Sequence, residues 1–240
     1  MHRLYVPPEQ LASSPRVRLT AEQSWHLLTV LRLQPGAELE VFDGKGRRFR
    51  ATLAASGLEI DGPLPAPQRR VDVVLAQALA KGEKMELVIQ KATELGAARI
   101  LPLATERSVV RLDAQRGASR TRRWRRIAGE AARQCGRADV PAIDEPCGWD
   151  GLFALLRDDP ERRGLLLDPD PGGLRLGDAA RGVSRLLVAV GPEGGFSPGE
   201  RAQAIENGFV AVALGPLVLR SETAGLAALA VVLHVNGELG

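Results

Sequence analysis

Metal-binding and redox side chains are scarce in this chain. Its two cysteines, Cys135 and Cys147, are too few and too far apart for a CxxC zinc site or a disulfide framework. Its three histidines, His2, His26 and His234, are scattered and show no HExxH-type spacing. The expectation is a protein without a bound metal and without a Ser-His-Asp triad. No apolar run approaches the roughly 18 residues that mark a membrane span. The start, MHRLYVPPEQ, lacks the long apolar core of a signal peptide, so a cytoplasmic protein is expected. Neither the G-x-G-x-x-G dinucleotide fingerprint nor the G-x-x-x-x-G-K-[ST] phosphate loop occurs.

What is present is unevenly placed charge. The 240 residues carry a net charge of only +3. Between Ala114 and Arg137 lie eight arginines and one acid, Glu130; the rest of the chain has 24 basic and 28 acidic residues, a net of −4. One segment therefore makes the protein basic, which points to a polyanionic partner.

The length allows one large domain or two smaller ones. From Met1 to about Gln68 the pattern is β-rich, with short strands at Arg3–Val6, Arg16–Leu19, Glu38–Phe42, Phe49–Leu53 and Gly57–Ile60. Thr20 is placed to cap a helix running to Leu31 with Leu27, Leu28 and Leu31 inward. Asp43-Gly44 between alternating runs is a hairpin signal. Several short strands and one helix suggest a small barrel. The hairpin carries Lys45, Arg47, Arg48 and Arg50, which read either as a phosphate-contacting edge or as a solvated edge protected by charge. The proline-rich stretch Gly62–Pro67 is the best boundary, giving domains 1–68 and 69–240.

Beyond it the pattern is α/β. Strands are predicted at Val71–Ala76, Arg99–Leu103, Gly164–Leu167, Leu186–Val190 and Phe209–Leu214. Helices are predicted at Glu83–Leu95, Ala118–Cys135 and Trp149–Leu156, and from a capping box at Ser197–Glu200. The almost wholly apolar helix Ser221–Val235 belongs in a core or a subunit interface. Apolar, β-branched strands are typical of parallel sheets covered on both faces. Two of them break at glycine, at Gly191-Pro192-Glu193-Gly194-Gly195 and at Gly215-Pro216. Ligands in such sheets bind beyond the carboxyl ends of strands, and glycine lets backbone approach them. Two ordinary strand-to-helix turns are the alternative. On the residues alone, the choice between nucleic-acid chemistry and plain RNA binding stays open.

Six motifs occur in order: Lys81–Glu86 (KGEKME), Gln90–Gly96 (QKATELG), Glu106–Ser108 (ERS), Gln134–Arg137 (QCGR), Gly191–Phe196 (GPEGGF) and Leu219–Ala224 (LRSETA). With His26-x-x-x-Val-Leu-Arg32 they resemble the RsmE family, SPOUT-class methyltransferases that modify N3 of a uridine in 16S ribosomal RNA with S-adenosylmethionine. The resemblance runs from about Arg3 to Gly240. It implies an N-terminal PUA-like RNA-binding barrel, a C-terminal α/β domain with a deep trefoil knot, and a homodimer.

The resemblance also implies site residues. The cofactor loops map to Leu167, Asp168 and Pro169; to Gly191, Pro192, Glu193, Gly194 and Gly195; and to Leu214, Gly215, Leu219, Arg220 and Ser221. Leu217 stands where many relatives have arginine, and Ser221 where threonine is common. Uridine N3 must lose its proton before it attacks a methyl group. Arg220 is the candidate to stabilise the uracil anion and Glu222 the candidate base. An Arg–Glu surface pair and a carboxylate serving a helix N-terminus are the plainer readings. Arg32, Lys45, Arg47, Arg48, Arg122, Arg123, Arg126 and Arg133 are the candidate RNA contacts. An RNA-binding ribosome-assembly factor that kept the fold without turnover is the alternative function.

Overall fold

In the computed structural model, residues 2–11, 16–65, 69–108, 114–169 and 174–240 are described. Part of the expected linker, at 66–68, and part of the loop after Asp168, at 170–173, lie outside them. The chain forms two compact units, Met1–Gln68 with Gly129–Val140, and Arg69–Ala128 with Pro141–Gly240.

The first unit holds β1 (His2–Tyr5), α1 (Pro8–Leu11), β2 (Arg16–Val17), α2 (Ala21–Trp25), β3 (Glu38–Phe42), β4 (Arg48–Ala54) and β5 (Gly57–Leu64). The strands pair in the order β1-β3-β4-β5-β2. Leu4, Val6, Leu27, Leu39, Val41, Leu53 and Leu58 fill the core beneath the sheet. Each such side chain contributes about 1.5–3 kcal/mol on burial. Thr20 and Gln23 form the expected reciprocal cap on α2. The helix then widens into a π-helical segment, His26–Val30. The wider turn moves side chains off a 3.6-residue stripe. Leu27 is fully buried, but Leu28, expected inward, is 51% exposed. The Asp43 carboxylate organises the hairpin by accepting from the backbone N–H groups of Lys45 and Arg47 at 2.8 and 3.0 Å. β4 lies between β3 and β5, so its arginines are on an interior strand and not on a protected edge.

The second unit is a seven-stranded, wholly parallel sheet. In chain order it comprises β6 (Asp72–Ala78), α3 (Lys84–Leu95), β7 (Arg99–Leu103), α4 (Ala114–Cys135), β8 (Ala142–Ile143), α5 (Trp149–Asp158), β9 (Arg163–Leu167), β10 (Leu174–Arg175), α6 (Leu176–Ala180), β11 (Arg185–Val190), α7 (Pro198–Glu206), β12 (Phe209–Ala213) and α8 (Ser221–Val235). α4 begins four residues before the expected Ala118, and its residues from Gly129 onward group with the first unit. The strand order is β10-β12-β9-β11-β6-β7-β8. Alternate residues of the central strands serve two layers. Val74, Ala76, Leu187 and Ala189 pack with Trp149, Phe153, Phe209 and Ala204. The other face of β6 and β11 meets α8, which also packs on α3. Burial on both faces explains why these strands read as continuous apolar runs.

Gly96 ends α3 with φ of 119°, in the left-handed region where glycine replaces a strained side chain. Ser197 and Glu200 cap α7 reciprocally, as the sequence predicts. Glu200 does more than cap: its carboxylate also accepts from Trp149 Nε1 at 3.0 Å and from the Glu106 amide at 2.9 Å. Burial pushes its pKa up, but these hydrogen bonds outweigh burial and hold it below the usual carboxylate value.

Candidate active site

Parallel pairing sets β12, β9 and β11 side by side in that order. Their carboxyl ends therefore present three adjacent loops, Leu167–Pro169 after β9, Gly191–Gly195 after β11 and Leu214–Ser221 after β12. Between them is a cavity of about 270 Å³. It is lined by Leu167, Asp168, Pro169, Gly191, Pro192, Glu193, Gly194, Gly195, Leu214, Gly215, Leu219 and Ser221, with Val190, Val212, Leu217, Val218 and Ala224 added. The glycine-broken strands β11 and β12 are not neighbours, since β9 separates them, so the loop after β9 completes the wall.

The wall suits an amphiphilic ligand. Its valines and leucines offer apolar contact, while Asp168, Glu193, Ser221 and loop backbone offer polar groups. A Cβ at Gly195 or Gly215 would meet no atom within 4 Å, so both glycines leave open space in the lining. Gly195 also has φ of 67°, which disfavours a side chain. An adenosine with a flat apolar base and a polar ribose fits such a cradle. Leu217 and Val218 are 77% and 83% exposed, so the third loop presents an apolar lip.

Polar anchors fix the loops from behind. Gln77, fully buried on β6, donates from Nε2 to Ser221 Oγ at 2.8 Å. Ser221 Oγ donates in turn to the Gly191 carbonyl at 2.5 Å. Arg107 Nη1 donates to the carbonyl of Gly194 at 2.8 Å. Arg201 Nε donates to Asp168 Oδ2 at 2.5 Å. Lys84, the first residue of α3, donates to Glu193 Oε1 at 2.8 Å and lies 3.4 Å from Glu222 Oε2. The bond to Glu193 raises the Lys84 pKa, and the same bond lowers that of Glu193. Gln77, Lys84, Arg107 and Arg201 were not among the expected site residues. Lys84 and Arg107 belong to motifs of the resemblance, KGEKME and ERS, but nothing in their spacing says what they touch.

Arg220 and Glu222 take separate places. Arg220 is the residue before α8, extended and exposed. It does not line the cavity, against the expectation that it would, because the first turn of α8 gives that position to Ser221. Glu222 is in the first turn, its side chain 12% exposed.

The expected RNA contacts divide between the two units. In the first, Arg32 is exposed with φ of 55°, and Lys45 is exposed. Arg47 pairs with Asp43 at 2.6 Å. Arg48 makes two bonds to Glu40, at 2.8 and 2.6 Å, so its charge is matched internally. Arg133 Nη1 lies 3.1 Å from His26 Nε2. Burial, then the Arg133 charge, lowers the His26 pKa; a guanidinium only donates, so in this pair His26 Nε2 is the acceptor. In the second unit Arg122 and Arg126 are exposed, and Arg123 pairs with Glu86 at 2.8 Å. Among the described residues no helix is long and apolar enough to cross a membrane, and no cluster of metal-ligating side chains occurs.

Known proteins agree with this geometry. The family described as an RNA methyltransferase domain matches residues 67–233, and that described as an RNA methyltransferase PUA domain matches residues 19–59. The chain is 37% identical over 221 residues to the ribosomal RNA small subunit methyltransferase E of Mycobacterium bovis, covering 88% of this chain and 83% of that protein. It is 30% identical over 241 residues to the protein of the same name from Bacillus subtilis, covering 94% and 93%. A crystal structure of that methyltransferase from Neisseria gonorrhoeae, bound to S-adenosylmethionine, superposes with a TM-score of 0.87 at 31% identity over 98% of both chains. A two-unit chain with a glycine-walled cavity at three parallel strand ends, matched over nearly its whole length by these relatives, belongs to the ribosomal RNA small subunit methyltransferase E family.

Proposed function

We propose that this protein methylates N3 of a uridine in 16S ribosomal RNA, using S-adenosylmethionine held in the cavity at the ends of β9, β11 and β12. The observation that carries the reading is the adjacency of three loops, two of them glycine-broken, with a carboxylate, Glu222, one residue beyond the cavity wall. S-adenosylmethionine supplies, when bound, an electrophilic methyl whose bonding pair stays with the departing sulfur. The chain's own groups do the rest. Leu167–Pro169, Gly191–Gly195, Leu214, Gly215, Leu219 and Ser221 hold adenosine through backbone and apolar contact. Glu222 accepts the N3 proton, and the electron pair left on N3 forms the new N–C bond. Arg220, exposed and free of a capping role, stabilises charge on the uracil oxygens.

Residues 1–68 act as a PUA-like RNA-binding barrel and 69–240 as a SPOUT methyltransferase domain. The pairing of β12 with β9, and not with the preceding β11, suits the trefoil knot that the resemblance implies. The exposed apolar Leu217 and Val218 favour a homodimer, with the second copy covering this lip. Exposed arginines on α4 supply phosphate contacts, and the cytoplasm, where ribosomal subunits assemble, is the site of action.

Calorimetry with S-adenosylmethionine and its demethylated product tests the cavity. The wild type is expected to bind, and Gly194→Val to lose binding. A Cβ at Gly194 meets only Arg107, at ordinary contact distances of 3.6 and 3.8 Å, and a melting curve beside the titration separates loss of the ligand from disturbance of the Arg107–Gly194 bond. No heat with either ligand in the wild type refutes the reading. Mass mapping of 16S ribosomal RNA from cells lacking the protein identifies the modified nucleotide.

A further inference from the structure

Lys84 stands at a place a cation would ordinarily avoid. It opens a 12-residue helix, where the aligned peptide dipoles make the end positive and favour acids. It is nevertheless held there between two carboxylates, 2.8 Å from Glu193 and 3.4 Å from Glu222. Glu193 lines the cavity, whereas Lys84 and Glu222 do not. The pair is thus attached to the cofactor wall through Glu193 while standing outside the cavity. Glu222 Oε2 is buried and makes no hydrogen bond, since at 3.4 Å from Nζ it has charge contact without a directed bond. A carboxylate oxygen buried without a directed hydrogen bond is costly, so Glu222 keeps unmet accepting capacity beside Lys84.

We infer that Lys84 and Glu222 together read the imide edge of the target uracil, Glu222 accepting from N3–H while the Lys84 ammonium donates to the neighbouring carbonyl oxygen. This rests on the methyltransferase reading above and adds the specificity-determining pair. The uracil edge runs acceptor, donor, acceptor. Lys84 and Glu222, 3.4 Å apart, present a donor beside an acceptor, and enzymes that act on bases read this edge by hydrogen bonds. Cytosine has an amino group in place of O4 and an unprotonated N3, so it sets donor against lysine and lone pair against carboxylate. The same arrangement assists the chemistry. As the N3 proton passes to Glu222, charge grows on the carbonyl oxygen that faces Lys84, where a fixed ammonium stabilises it.

The test uses full-length protein, small ribosomal subunits from cells lacking it, and single-turnover methylation across pH beside calorimetry with S-adenosylmethionine. Lys84→Met is expected to lower the rate at neutral pH about a hundredfold or more, to move the rising limb of the pH–rate profile to higher pH, and to leave cofactor affinity within about threefold. Lys84→Arg, which keeps the charge, is expected to recover part of the rate. Glu222→Gln is expected to be slow at neutral pH and to regain rate at high pH, where N3 ionises unaided. An unshifted profile in Lys84→Met, a cofactor affinity that falls in step with its rate, or a wild-type rate overturns the inference, since the lysine then braces the Glu193 loop or holds the cofactor. Wild-type protein that binds no cofactor refutes the methyltransferase reading itself and is recognised before any variant is assayed.

Discussion

Gly225→Ala is a small substitution with a defined collision. Gly225 is buried in α8, and a Cβ there would lie 2.3 Å from Gln77 Oε1 and 3.5 Å from its Cδ. Gln77 is fully buried, and its Nε2 is bonded to Ser221 Oγ. Turning the amide over brings the nitrogen to the same spot and breaks that bond, so the side chain has no inexpensive escape. Overpacking of this kind costs about 1–3 kcal/mol, and the lost hydrogen bond about 1 kcal/mol. Helix propensity returns about 1 kcal/mol when alanine replaces glycine. The net loss is about 2 kcal/mol, a fall in Tm of about 4–8 °C for a chain of this size. Cofactor affinity falls as well, because Ser221 holds the Gly191 carbonyl of the second loop. Gly129→Ala in α4 is the control. A Cβ there meets nothing within 4 Å, so propensity acts alone and Tm rises. Calorimetric unfolding of both variants, with cofactor titration of each, makes the comparison. If Gly225→Ala melts at or above wild type, Gln77 is free to move and the Gln77–Ser221–Gly191 relay does not position the loop.

Glu40 sets an acid limit on the first unit. Its side chain is only 4% exposed between Arg3 and Arg48; burial pushes its pKa up, but hydrogen bonds from the two guanidiniums and their charges outweigh burial and leave it lowered. A depressed folded pKa contributes stability above the unfolded value and loses it as pH falls through the folded one, so Tm is expected to decline below about pH 4–5. Glu40→Gln should cost about 3 kcal/mol at neutral pH and flatten that decline, whereas melting curves that stay parallel to wild type across pH refute the assignment. Replacing Arg122, Arg123, Arg126 and Arg133 together should weaken RNA binding and reduce the slope of log affinity against log salt by about 0.7–0.9 per lost phosphate contact, with cofactor affinity unchanged; an unchanged slope makes this helix face a solvated surface. Arg48→Ala should lower Tm with little change in that slope, because its guanidinium is bonded to Glu40, and a changed slope at constant Tm returns Arg48 to the RNA surface.

Local signals were legible where local chemistry decides them. Thr20 with Gln23 and Ser197 with Glu200 are caps because each side chain reaches backbone three residues away. The parallel sheet was legible because strands covered on both faces must be apolar throughout. Leu28 was misassigned because a π-helical turn follows from how the segment packs and leaves no mark in a 3.6-residue pattern. The extent of the first unit was hidden for a related reason: residues 129–135 continue a single helix whose periodicity does not change where its packing partners do. The cavity was half legible. Glycines at the ends of β11 and β12 identify two walls, but strand order, which inserts β9 between them, is a tertiary fact with no local signature. The anchors were the least legible part. Gln77 is the one amide of β6, a strand that is apolar between Asp72 and it. Its partner Ser221 lies 144 residues later, so only folding reveals that the amide serves the pocket loop. Lys84 is the sharper case, because its helix-opening position argues against a cation on local grounds and only Glu193 and Glu222, 109 and 138 residues further along, make that charge favourable. A residue that breaks a local preference and is satisfied only by distant acids beside a cavity is where function outweighs helix chemistry. Lys84→Met should therefore improve the local helix preference of α3 while impairing the reaction.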